Sequence, residues 1–134
     1  MLQPKKRKYR KTFRGKNKGV AQKGNTVAFG QFGLQALEHG WVTDKQIEAA
    51  RKKITFATKK AGKYWIRLFP HKPVTSKPVG VKMGSGKGDI KGYVAVVKPG
   101  QVLFEIGGVT NEIAKAAFTK AGHKLSVKTT LIEK

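Results

Sequence analysis

Apolar and polar positions divide this chain into stretches with two different periods. From Thr43 onward, Ile47, Ala50, Ile54, Ala57 and Ala61 recur at steps of three or four, which is one stripe along a helix. Thr43 opens that stretch and Gln46 follows three residues later, the arrangement of a capping box. Gly62 stands where a helix C-cap is expected. A second helix is predicted over Thr110 to Ala121, with Ile113, Ala117 and Ala121 inward and Gly122 ending it. Alternation of period two marks Lys63 to Phe69, where Tyr64, Ile66 and Leu68 share one face and Trp65, Arg67 and Phe69 the other. Large side chains on both faces predict a strand covered on both sides, or one whose second face meets a partner.

Two more apolar runs, Tyr93 to Val97 and Val102 to Ile106, flank Lys98-Pro99-Gly100-Gln101. Proline followed by glycine suits the central positions of a type II turn, so a hairpin is predicted. Thr26 to Leu37 is β-like but interrupted by Gly30 and Gly33, which predicts a bulge or a close backbone approach. Val127 to Ile132 reads as a closing strand. Helices separated by runs of strands predict an α+β fold, a two-layer sandwich of a mixed or antiparallel sheet with two helices. At 134 residues the chain fits one domain with a real core, and no internal repeat is visible.

One stretch departs from both periods. Pro70 to Gly92 holds three prolines and five glycines, so neither a helix nor a regular central strand is expected there. Lys72, Lys77, Lys82, Lys87 and Lys91 punctuate it against one acid, Asp89. Fixing so long a loop costs chain entropy, and structureless loops of this length are usually functional or disordered. It reads as a probe reaching into something anionic.

Charge sharpens that picture. There are 29 Lys and Arg against 7 Asp and Glu, a formal net charge of +22. Self-repulsion on this scale disfavours a compact state unless a polyanion neutralises it. Residues 1–23 hold ten of the bases and no acid, so an extended basic N-terminal extension is expected ahead of a single domain over 24–134. Within it, Tyr9 and Phe13 sit among cations, suiting phosphate contact plus stacking on unpaired bases. Arg51, Lys52, Lys59 and Lys60 lie largely off the first helix's apolar stripe, as either a solvated or an RNA-facing surface. There is no cysteine, which excludes disulfides and thiolate chemistry. No apolar run approaches the length of a membrane span, and the basic N-terminus lacks the apolar core of a secretory signal.

Gly84-Ser85-Gly86-Lys87-Gly88 invites a phosphate-loop reading, but the spacing fails. A Walker A motif would need glycine where Val81 stands, and a hydroxyl residue where Gly88 stands. What remains is bare backbone N–H and a lysine able to approach phosphate, a binding property without a reaction. His39, His71 and His123 lack metal-ligand spacing, and no acid–base or nucleophile pair is evident, so neither enzyme chemistry nor a cofactor is expected.

The stretches MLQPKKRKYRK, F-G-x-F-G-L, Q-I-E-A-A-R, W-I-R-L-F-P-x-K-P-V-T-x-K-P, M-G-x-G-K-G and K-P-G-x-V-L-F-E-I-x-G-V, with K-L-x-V-K-T-T near the end, resemble the bacterial-type large-subunit ribosomal protein L-sixteen family, in order and over nearly the whole chain. The resemblance implies an α+β fold with a hammerhead-like β element. It implies a structural, non-catalytic component of the large subunit that binds 23S-type rRNA, helps shape the aminoacyl-tRNA site and joins late in assembly. Expected rRNA contacts are Lys5, Lys6, Arg7, Lys8, Arg10, Lys11, Arg14, Arg51, Lys59 and Lys60. The loop that would approach tRNA near the peptidyl-transferase centre carries Val81, Lys82, Met83, Gly84, Gly86, Lys87 and Gly88. Expected partners are the large-subunit rRNA, aminoacyl-site and peptidyl-site tRNA and neighbouring ribosomal proteins, with no membrane, in a bacterial cytoplasmic or organellar ribosome. Lys82 departs from the family, which usually has arginine there, so a planar forked contact is not available at that position.

Overall fold

The computed structural model describes residues 2–4, 19–59, 61–76 and 89–134. They form an α+β fold of two helices and two antiparallel sheets. In chain order the elements are β1 (Phe32–Ala36), β2 (Gly40–Thr43), α1 (Asp44–Thr58), β3 (Lys63–Ile66), β4 (Lys72–Ser76), β5 (Asp89–Val97), β6 (Val102–Gly107), α2 (Asn111–Gly122) and β7 (Thr129–Glu133). The larger sheet has the order β3-β6-β1-β7, and the smaller β2-β5-β4. The helices pack on one another; α1 also touches β2 and β5, while α2 touches β1 and β7. Each sheet therefore receives one helix.

β6 lies between β3 and β1 and is buried along its whole length, which is why Val102 to Ile106 reads as a nearly continuous apolar run. Leu34, Ile47, Ile54, Leu103, Phe104, Ile106 and Phe118 belong to the core cluster that joins the helices to the sheets.

The capping box at Thr43 is present: its Oγ1 accepts the Gln46 N–H at 3.1 Å, and Gln46 Oε1 accepts the Thr43 N–H at 3.0 Å. Several expectations need correction. α1 ends at Thr58, and Lys59, not Gly62, caps it with a left-handed φ of 53°. Gly62 instead packs its Cα against the Gly107–Gly108 backbone, where a Cβ would strike the Gly107 carbonyl. In α2 the inward residues are Ala114, Ala117, Phe118 and Ala121, whereas Ile113 is exposed. The strand predicted over Lys63 to Phe69 ends at Ile66, with one further backbone bond from Arg67 N–H to Leu103 O.

The largest correction concerns Pro99-Gly100. The turn forms, with Gly100 at a φ of 91° and the Gln101 N–H donating to Lys98 O. Its flanking strands do not pair, because β5 belongs to the smaller sheet and β6 to the larger. The turn's backbone bonds go elsewhere: Gly100 N–H donates to Ala36 O and Ala36 N–H to Gln101 O, tying the corner to the end of β1. The hairpin lies elsewhere too. β4 and β5 pair antiparallel from Lys72↔Val94 to Ser76↔Asp89, so strands occupy both ends of the stretch expected as loop. Pro73 is tolerated because β4 is an edge strand.

Candidate nucleic-acid interface

α1 turns its apolar stripe inward, burying Ile47, Ala50, Ile54 and Thr58, and so presents its remaining positions outward. Lys52, Lys53 and Lys59 are exposed on that side, and Phe56 is 78% exposed among them. Residues three and four apart on a helix are surface neighbours, so Lys52 and Lys53 share the Phe56 side of α1, and the exposed Lys59 follows at the helix's left-handed cap. The helix's two acids, Asp44 and Glu48, lie in its N-terminal third, leaving 51–59 with cations only.

Arg51 is a less free cation than its sequence position suggests. Its Nε and Nη2 both donate to Glu48 Oε1, and its Nη1 donates to the Tyr64 hydroxyl at 3.4 Å. The hydrogen bond from Arg51 outweighs burial and holds Glu48 below the ordinary carboxylate range. The same bond, followed by the one to Tyr64, raises the guanidinium further above its already high value. Part of the five-donor fork is thus committed inside the protein.

A second cationic element is the β4–β5 ribbon. Ser76 and Asp89 are partners at its end, and 77–88 are the residues between them in sequence. At its base Lys72 Nζ sits 4.8 Å from the centroid of the Trp41 ring, a cation–π contact that keeps the chain on the smaller sheet. Phe69 and His71 meet as tilted rings 4.7 Å apart where the chain enters β4.

A third feature surrounds Glu105, which is fully buried in β6. Its Oε1 accepts three backbone N–H groups, from Ala28 at 3.0 Å, Phe29 at 2.7 Å and Gly30 at 2.8 Å. Its Oε2 accepts Arg67 Nη1 at 2.7 Å, and that same nitrogen donates to Thr26 O at 2.6 Å. Burial pushes the carboxyl up, but the three N–H donors and Arg67 outweigh it and hold it below its usual range. The clamp requires close approach: a Cβ on Gly30 would lie 2.6 Å from Ile106 O. It fixes a backbone from which Phe29 projects, 63% exposed, stacked on Trp65 at 6.2 Å with the Arg67 guanidinium 5.7 Å from its ring centre.

Of the residues expected to contact rRNA, Arg51 and Lys59 fall on α1 and its cap, one engaged and one exposed. Lys5, Lys6, Arg7, Lys8, Arg10, Lys11, Arg14 and Lys60 lie outside the described residues, as do Val81, Lys82, Met83, Gly84, Gly86, Lys87 and Gly88. Sequence reasoning missed Lys53 and Phe56. The signal was available, since Phe56 falls off the stripe Ile47, Ala50, Ile54, Ala57. Among the described residues no cluster of His, Asp or Glu could hold a metal ion, and no helix is long and apolar enough to cross a membrane.

Comparison with known proteins places these features in a family. Residues 4–132 match the family of ribosomal proteins described as L16p/L10e. The chain is 56% identical over 133 residues to the large ribosomal subunit protein uL16 of a Sulfurihydrogenibium species, covering 99% of this chain and 96% of that protein. It is 53% identical over 134 residues to the protein of the same name from Fusobacterium nucleatum, covering 100% and 94% respectively. With a match this long and relatives this close, the chain belongs to the ribosomal protein L16p/L10e family.

Proposed function

We propose that this chain is a structural component of the large subunit of a bacterial-type ribosome and binds 23S-type rRNA. In this reading the basic extension 1–23 and the outer face of α1 contact rRNA, while 24–134 fold as one domain. The segment 77–88 between β4 and β5 approaches tRNA at the aminoacyl site, near the peptidyl-transferase centre. Peptide transfer belongs to the RNA; this chain supplies cations and shape. The observation that carries the reading is the family match over residues 4–132, with relatives aligned along nearly their full length. The charge of +22 supports it physically, because a polyanion neutralises what would otherwise repel.

Counterion release makes such binding steeply salt-dependent, by about −0.7 to −0.9 in log–log slope for each phosphate neutralised. Sucrose-gradient sedimentation of cell extract at low salt is expected to find the chain with large subunits, and high salt to strip it off. Recovery only near the top of the low-salt gradient would refute ribosomal residence and favour a free RNA-binding module.

A further inference from the structure

We infer that Phe56 stacks on an unpaired base of ribosomal RNA, with Lys52, Lys53 and Lys59 taking the neighbouring phosphates. This rests on the reading that α1 faces rRNA and goes beyond it in naming the contact. A single exposed apolar side chain is ordinary on a protein surface, so the setting has to carry the argument. Phe56 takes no part in the helix's buried stripe of Ile47, Ala50, Ile54 and Thr58, and its ring is 78% exposed. Its backbone is fixed nonetheless, by a helix that is boxed at Thr43 and packed on α2, β2 and β5. The ring is therefore presented on a rigid support, and ordering it on binding costs little.

Charge selects the occupant. Lys52 and Lys53 precede the ring by four and three residues on the same helix face, Lys59 follows at the cap that ends the helix, and no acid lies between 51 and 59. The nearest acid on the helix, Glu48, is already held by Arg51. An apolar protein surface docking here would have to strip water from three ammonium groups without compensation. An unpaired nucleotide offers both complements together, a flat face for the ring and phosphates for the lysines. Paired bases hide their faces within the stack, so a duplex would meet the lysines but leave Phe56 without a partner.

The test uses the full chain rebinding to large subunits that have been stripped of it with high salt. Stacking on one base predicts that Phe56→Ala and Phe56→Leu each weaken rebinding by about 5- to 150-fold, while Phe56→Trp keeps it. Phe56→Ala leaves the salt slope unchanged. Replacing Lys52, Lys53 and Lys59 together by Gln lowers the slope by about 2 units, at about 0.7 for each single-strand phosphate. A slope unmoved by the lysine variant overturns the placement of α1 on rRNA, and stacking with it. A slope that falls while Phe56→Ala or Phe56→Leu binds like the parent overturns stacking alone. Melting curves must match the parent in all variants; a loss of binding that tracks a loss of melting temperature also overturns it. Photo-cross-linking from p-benzoylphenylalanine at position 56 is expected to reach one RNA nucleotide, and capture of a ribosomal protein instead would refute the assignment.

Discussion

Replacing Glu105 by Gln changes almost no volume and removes one charge from the middle of the fold. The amide oxygen can still accept from Ala28, Phe29 and Gly30, but the amide nitrogen then faces Arg67 Nη1, donor against donor, where Oε2 now accepts at 2.7 Å. Breaking a buried pair by removing one partner costs about 3–5 kcal/mol. The Arg67 side chain is 19% exposed, so water partly restores its solvation and the low end, about 3 kcal/mol, is expected. With about 2.1 cal/mol/K of unfolding entropy per residue over 134 residues, that corresponds to a fall of about 10 °C in melting temperature. Urea unfolding measures it without changing ionic strength. pH supplies the sign. Glu105 titrates below its ordinary value in the fold, so its contribution is fully present above the unfolded carboxyl's pKa, about 4.3, and is lost as pH falls through the folded value. The gap between parent and Glu105→Gln should therefore narrow on acidification, because protonated Glu105 resembles Gln. A gap below about 0.5 kcal/mol at pH 7, or one that stays constant down to pH 3, would refute the view that this pair holds the 28–30 segment onto β6.

Three other perturbations test separate links. Thr43→Ala removes the side-chain half of the capping box and should cost about 1 kcal/mol in urea unfolding, with Thr43→Ser recovering most of it. Gly30→Ala drives a methyl toward Ile106 O and Trp65 and should destabilise by about 1–3 kcal/mol, with the loss seen equally by tryptophan fluorescence and circular dichroism. Lys82→Glu combined with Lys87→Glu should impair aminoacyl-tRNA binding or subunit maturation while the melting curve of the isolated chain stays put; equal losses in both would make 77–88 a structural element.

Local chemistry was legible in the sequence, and pairing between distant segments was not. The capping box depends on Thr43 and Gln46 alone, three residues apart, and it formed as expected. Pro99-Gly100 likewise encodes its turn, but a turn says nothing about where its flanking strands find partners. The bonds from Gly100 N–H to Ala36 O and from Ala36 N–H to Gln101 O, spanning more than sixty residues, decided that. β4 was hidden by Pro73, a strand breaker whose veto lapses at a sheet edge. Ile113 was misplaced because α2 buries small residues and Phe118, a choice made by the close packing of α2 against α1. On α1, periodicity finds the outward side, but charge alone does not mark Phe56, an aromatic residue off the stripe. Glu105 gave no sequence signal of its role: an acid inside an apolar strand demands partners, and those came from residues 28–30 and 67.

The corner at Pro99-Gly100 separates two tasks that a single sheet would have coupled. On one side of it, β6 runs wholly buried between β3 and β1 and carries the Glu105 pair, so the larger sheet bears most of the structural constraint. On the other, β5 is the middle strand of a small sheet and continues to Asp89, pairing with the edge strand β4 as far as Ser76. Charge changes between 77 and 88 therefore enter the fold through a two-stranded ribbon, the marginal kind of β structure, instead of through the core. That arrangement is why the Glu105 and Lys82/Lys87 experiments should fail in different assays. The first should move unfolding and leave salt-dependent rRNA affinity of the surviving native fraction alone, and the second should move aminoacyl-tRNA binding or subunit maturation and leave unfolding alone. A variant in either group that moved both by equal amounts would show that the corner transmits strain between the sheets, and the division of labour argued from the topology would fall.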